Sequence, residues 1–208
     1  MISTDASAPP TTGSRRSASA DARRRQFLDA ALDEFLARGY HGASTRRISA
    51  AVGTSPGLFF HYFDSKESVY DELVALGYTK LHLDLDAATA DPLGHLLEAA
   101  EGALSMVRRD RRLARMFVFM AAAERTPGTT SRSAELLAEH DLVARCVPVI
   151  EAGQARGVIR AGDPLSLSVA FWGAVHGVVE TLGARADGAD PQAAWLGGVL
   201  TDTGEGRS

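Results

Sequence analysis

Between Ser44 and Phe63 the chain fits two helix-length segments around one glycine, in the stretch STRRISAAVGTSPGLFFHYF. Two helices this short cannot hold themselves in water, so each must be braced by the other and by a neighbour. Ser44 has the side chain of an N-cap, with Ile48, Ala51 and Val52 as the inner face of the first segment and Gly53 as its stop. Ser55 stands at the second cap and Pro56 at the first helical position, where a missing N–H costs nothing. Phe59, Tyr62 and Phe63 follow the i, i+3, i+4 spacing and face inward together. Phe60 and His61 then lie on the opposite side with Pro56 and Gly57, so one aromatic ring is placed outside. A short helix, a tight turn and a second short helix form the helix-turn-helix arrangement, whose second helix enters the DNA major groove by its N-terminal end.

The residue types around this motif suit that task. Pro56 and Gly57 have little bulk, which permits close approach to base edges. Ser44, Thr45, Arg46 and the backbone amides at Ser55 can meet phosphate oxygens. His61 and Lys66 can meet the backbone on the other side, and Phe60 can lie against a sugar or a thymine methyl. Arg24, within Arg23-Arg24-Arg25, reads as a phosphate-contacting arm beside such a motif. The net charge of −4 argues against a polyanion partner for the chain as a whole. Its distribution does not, because residues 1–66 carry nine basic and six acidic side chains. A basic front on an acidic body suits a polyanion partner at one end.

The rest of the chain is punctuated by Pro and Gly into helix-length segments, with no run of alternating β-branched residues. The expected fold is all-α with about nine helices: a three-helix DNA-binding domain followed by a helical ligand-binding and dimerisation domain. Residues 1–20, rich in Ser, Thr, Ala, Pro and Arg, are expected to be disordered. Residues 21–67 form the first domain, 68–203 the second, and 204–208 a tail. A first helix spans about residues 22–38 and stops at Gly39. A fourth starts after Asp64 or Ser65, with Asp64 and Glu67 at capping-box spacing, and runs to about Ala87. A fifth begins at Asp91-Pro92, with Leu93, Leu97, Ala100, Leu104 and Val107 inward. A sixth covers about residues 111–125. A seventh, about 134–156, is expected to kink or split at Pro148. An eighth opens at Asp163-Pro164 and runs to about Arg185, and a ninth spans about 191–201.

The stretch AALDEFLARGYHGASTRRISAAVGTSPGLFFHYFDSKESVYDELV resembles the TetR family of bacterial transcriptional regulators. The residues that carry the resemblance are Gly39-Tyr40, Thr45, Ile48, Ala51, Gly53, Gly57, the aromatic cluster, and Phe63 with Ser65-Lys66-Glu67. It covers about a quarter of the chain closely. The remainder matches in architecture, with a long connecting helix, a helical ligand domain, and a GVIRAGDP turn before the last helix pair. The resemblance implies a homodimer that represses transcription from a double-stranded DNA operator and is released by a small molecule. The family usually has a tyrosine where Phe60 stands, whose hydroxyl meets a DNA phosphate; that hydrogen bond is missing here. Leu58 replaces a smaller residue.

In the second domain, Met120, Phe171, Val175 and His176 are the expected lining of a largely apolar cavity. Gly173 and Gly177 form a small-residue stripe that lets helices pack closely. With Trp195, Leu196 and Val199 they are the expected dimer interface, a four-helix bundle under the resemblance. His176 and Glu180 are one turn apart, but two ligands are too few for a metal site, and no cofactor is expected. No Ser/His/Asp or Cys/His set and no phosphate-cradling glycine loop marks an enzyme, although a site in the helical domain and a ligand-independent architectural DNA binder remain the alternatives. Cys146 is the single cysteine, and the N-terminus has no apolar run of a secretory signal. No uninterrupted apolar stretch of about 18 residues suggests a membrane span. A cytoplasmic protein is expected.

Overall fold

The computed structural model describes residues 12–80, 90–126, 129–184 and 191–201. The described residues form helices and turns without a strand. The chain divides into two compact units, residues 1–70 and 71–208.

The first unit contains α1 (Thr12–Gly42), α2 (Thr45–Ala51), α3 (Pro56–Tyr62) and the start of α4 (Lys66–Lys80). The α1 helix begins at Thr12, so residues 12–20, expected as part of a disordered arm, have helical backbone. Arg and Ala are good helix formers, and this segment continues a helix already held by its apolar face. Residues 1–11 of the expected arm and the 204–208 tail lie outside the described residues. Phe27, Leu28, Ala31, Leu32 and Phe35 form the buried face of α1. Gly39 interrupts the helix with φ 65° and ψ 173°. This is a conformation that essentially only glycine adopts.

The hydroxyl of Ser44 accepts the Arg47 backbone N–H and caps α2. Its inward residues are Ile48 and Ser49, whereas Ala51, expected inside, is exposed. Ser49 is tolerated there because its hydroxyl donates to the Thr45 carbonyl at 2.9 Å. Gly53 closes α2 with φ 71°. Phe59 and Phe63 are buried and Tyr62 is half-buried. The start of α4 departs from the expected Asp64–Glu67 box. Ser65 and Ser68 instead exchange reciprocal backbone-to-hydroxyl bonds at 3.1 Å each. Residues 81–87 of the expected fourth helix lie outside the described residues.

The second unit continues α4 and adds α5 (Pro92–Arg109), α6 (Arg111–Glu124), α7 (Ser131–Glu139), α8 (Leu142–Ala155), α9 (Pro164–Ala184) and α10 (Ala193–Leu196), the last followed by a 3₁₀ turn at Gly197–Val199. Asp91 and Asp163 cap α5 and α9 through the N–H groups of Gly94 and Ser166. Pro148 does not split its segment. The break falls earlier, between α7 and α8, where Asp141 caps α8 through the Ala144 N–H. Pro148 sits inside α8.

The inward face of α5 is Leu96, Ala100, Ala103 and Leu104, with Leu93 and Leu97 only partly buried. These residues pack into one core with Cys146, Val149 and Ile150 of α8 and Phe171, Trp172, Val175 and Val179 of α9. The Trp172 indole N–H donates to the Cys146 sulfur at 3.1 Å. By length and composition Pro164–Leu182 could cross a membrane. Its Phe171, Trp172, Val175 and Val179 are instead at the centre of this core.

The Gly39 conformation sets a stability prediction. A Cβ at Gly39 would meet nothing within 4 Å, so the cost of Gly39→Ala is purely conformational. Gly39→Ala is expected to lower unfolding stability by about 1–3 kcal/mol in urea titrations, with the fold retained.

Candidate nucleic-acid interface and ligand cavity

Aromatic packing fixes the rotation of α3 about its own axis. Phe27 meets Phe59 edge-on at 5.8 Å and Phe63 at 6.4 Å between ring centroids. Tyr62 lies 5.6 Å from the same ring. With these residues inward, Phe60 is turned out and is 55% exposed. Ser55, Pro56, Gly57 and His61 are exposed with it, and a Cβ on Gly57 would meet open space. Ser55 holds the N-cap position but makes no side-chain capping bond.

Arg46 on α2 is exposed, while Ser44 and Thr45 are half-buried. Arg24 is half-buried, with its guanidinium 4.7 Å from the centroid of the Phe63 ring. Lys66 departs from the expected DNA contact. Its ammonium donates to the carbonyls of Tyr40 at 2.8 Å and Ala43 at 3.3 Å, and lies 4.3 Å from the Tyr40 ring centroid. It satisfies the carbonyls left open where Gly39 interrupts α1.

Two residues absent from the expected set hold α2 in place. Glu34 accepts the Ser44 backbone N–H at 3.2 Å and the Arg47 guanidinium at 2.5 Å. Arg47 also donates to the Gly42 carbonyl. The clasp bridges residues 13 positions apart, which no helical spacing rule reveals. The Tyr40 hydroxyl donates to Glu67 at 2.6 Å, and this bond chiefly holds the Glu67 carboxyl below its ordinary range.

The second unit contains a partly open cavity of about 320 Å³. Met120 and His176 stand on its wall. Phe171 and Val175 do not, because both are fully buried in the helical core. They lie on the inward face of α9, where neighbouring helices leave no open volume. Tyr78 of α4 also lines the cavity, with Phe117 and Glu124 of α6, His140, and Arg145 of α8. The signal available in the sequence for this set is weak, since the residues come from separate helices. The Tyr78 ring stacks on His140 at 4.2 Å, and its buried hydroxyl has no hydrogen-bond partner among the described residues. Burial, then the carboxylates of Glu124 and Asp141, raise the phenol above its ordinary pKa, so it stays a neutral donor. Burial, then Asp141, also raises the Glu124 carboxyl. The His176 ring meets Phe117 edge-on at 4.8 Å. Burial first, and the Arg125 charge second, hold His176 below its ordinary pKa.

Of the expected interface residues, Gly173, Gly177 and Trp195 are exposed, Trp195 by 70%. Leu196 is buried within its own chain and Val199 packs partly against the same core. Residue 196 falls on the inner side of the short α10, so Leu196 does not offer the free surface expected of it, and Val199 offers only part of its side chain.

The arrangement defines a class: a helix-turn-helix unit presenting an exposed second helix, joined in one chain to a helical unit that holds a partly open cavity. Residues 27–73 match the family described as bacterial regulatory proteins, tetR family. The chain is 45% identical over 49 residues to the HTH-type transcriptional repressor Rv1474c of Mycobacterium tuberculosis, covering 24% of this chain and 26% of that protein. Over 52 residues it is 42% identical to the HTH-type transcriptional repressor KstR2 of Rhodococcus jostii, covering 25% and 26%. The chain thus spans about a quarter of the length of these relatives. Its fold extends further. AibR, in complex with isovaleryl coenzyme A and operator DNA, superposes with a TM-score of 0.65 at 19% identity, covering 86% of this chain and 97% of that one. Residues 27–73 thus carry the similarity to the tetR family, and beyond them the likeness to AibR is one of fold.

The lowered pKa of His176 gives its contribution a sign. The unfolded chain binds this proton more readily than the folded one, so stability is lost as pH falls from about 6.5 toward the folded value. His176→Phe is expected to remove that loss, raising the melting temperature more at pH 5 than at pH 7.5. An equal shift at both pH values would contradict it.

Proposed function

We propose that this protein is a DNA-binding transcriptional repressor, working as a cytoplasmic homodimer and released from an inverted-repeat operator by a small, largely apolar molecule. The observation that carries the reading is the outward face of α3. Small Pro56 and Gly57 stand beside an exposed aromatic ring, with Arg46 exposed on α2. A core helix gains nothing by exposing such a ring, whereas a helix seated in the major groove buries it. Arg24, Ser44, Thr45, Arg46 and the Ser55 end of α3 are the proposed phosphate contacts.

The cavity supports the ligand. Its wall is mostly apolar and aromatic, with a few polar groups to set orientation. Tyr78, Glu124, Arg145 and His176 are the proposed polar contacts, and Met120 supplies an adaptable apolar surface. The AibR complex, with its acyl coenzyme A and its operator, supports a regulator that uses both kinds of partner. Tyr78 lies on the same continuous helix that begins at Lys66. A ligand that shifts α4 therefore biases the element leading out of the DNA-binding unit. Moving such a regulator from mostly bound to mostly free requires a ligand preference of about 5.5 kcal/mol for the released state.

The exposed face of α9 supports the dimer. Val169, Ala170, Gly173 and Gly177 recur along it, and a Cβ on either glycine would meet nothing within 4 Å among the described residues. A second copy of this face permits close helix packing.

Selection of bound duplexes from a random pool is expected to return inverted repeats with half-site centres about 34–36 Å apart, or a multiple of that. Their affinity is expected to fall steeply with salt through counterion release. Unpaired half-sites alone would count against the dimer. Gly177→Leu is expected to keep the monomer fold and yield monomers in sedimentation at micromolar concentration, with weakened operator binding.

A further inference from the structure

We infer that Phe60 reads sequence, packing its ring against the C5 methyl of a thymine in the major groove of each half-site. The inference rests on the DNA-binding reading of residues 44–63 and assigns the base feature that this face recognises.

Three observations lead to it. The ring is outside the core. It touches Phe59 edge-on at 5.3 Å, yet stays 55% exposed while Phe59 is fully buried. Second, the ring carries no hydroxyl and offers no strong hydrogen bond to a phosphate, so its gain on binding must come from apolar contact. Third, the face around it lacks side chains for hydrogen-bonded base readout. From Ser55 to Tyr62 there is no Arg, Lys, Asn, Gln, Asp or Glu. The hydrogen-bonding side chains are Ser55, His61 and Tyr62, and Tyr62 is half-buried against Phe27. None of the three offers the bidentate amide or guanidinium geometry that distinguishes adenine or guanine.

The thymine methyl is the apolar feature on the major-groove edge of a standard base pair. Pro56 and Gly57 sit one helical turn before Phe60, at i−4 and i−3, so their small side chains leave the ring unshielded from the groove. Arg46 and the other polar groups near this face then fix position on the backbone, and the ring supplies base discrimination.

Deoxyuridine substitution isolates the contact, because uracil keeps the pairing edge of thymine and removes only the methyl. Each thymine of the selected operator is replaced in turn, symmetrically in both half-sites. Affinities are measured by fluorescence anisotropy for the unmodified protein, Phe60→Ala and Phe60→Tyr. The unmodified protein is expected to lose about fourfold per half-site at one position, the change that burial of one methyl-sized group corresponds to. Phe60→Tyr, which keeps the ring, is expected to show the same loss. Phe60→Ala is expected to bind thymine and uracil duplexes alike. Circular dichroism melts verify that both variants fold. Indifference of the unmodified protein to uracil at every position would overturn the inference, as would a full uracil penalty in Phe60→Ala. If Phe60→Ala weakens binding while uracil has no effect, the ring lies on sugar and the inference also fails. Failure to recover any bound duplex would overturn the DNA-binding reading itself, a distinct result.

Discussion

The edge-to-face packing of Phe27 on Phe59 and Phe63 is the interaction on which the helix-turn-helix unit depends. The α3 helix has seven residues, too few to be stable in water by hydrogen bonding alone. Phe27, Phe59 and Phe63 are each buried to within a few per cent. Burial of rings of this size stabilises by about 1.5–3 kcal/mol each, enough to hold a two-turn helix against a three-helix frame. Because successive residues turn by about 100°, fixing Phe59 and Phe63 inward also fixes Phe60 outward. A stability constraint and the exposed aromatic face proposed for recognition thus come from the same cluster.

Charged groups complete the frame. Lys66 and Arg47 could both be taken for phosphate ligands, yet each donates to backbone carbonyls around the end of α1. Glu34 joins Arg47 and the start of α2 in one clasp. The basic character of the first 66 residues is therefore only partly available to a polyanion. Arg46 lies outside this network of clasps and is exposed. Screening by solvent keeps each exposed pair weak, so the clasp serves mainly to set the angle between α1 and α2.

Local signals were legible in the sequence and long-range ones were not. Ser44, Gly39, Gly53, Pro56 and the aromatic spacing each act within a few residues, and their helix ends fall where the chemistry of caps and turns places them. The outward position of Phe60 followed from spacing alone. Misplacements arose where a nearby competitor won. Asp141 capped α8 ahead of Pro148, and Ser65 with Ser68 took the cap assigned to Asp64 and Glu67. The cavity was half legible. Met120 and His176 stand on its wall, but an apolar helix does not reveal which of its residues meet volume and which meet neighbours. Phe171 and Val175 meet neighbours. Tyr78 could not be singled out, because a buried hydroxyl without a partner among the described residues arises only once separate helices converge.

DNA recognition by α2 and α3 and ligand recognition in the cavity of the second unit are the two halves of the proposed function. Amide hydrogen exchange of the full chain, with and without its selected operator duplex, tests the first half most directly. The account predicts slowed exchange across residues 44–63, strongest at the start of α3, when operator is bound. Protection that left residues 44–63 unchanged and appeared only elsewhere would contradict it.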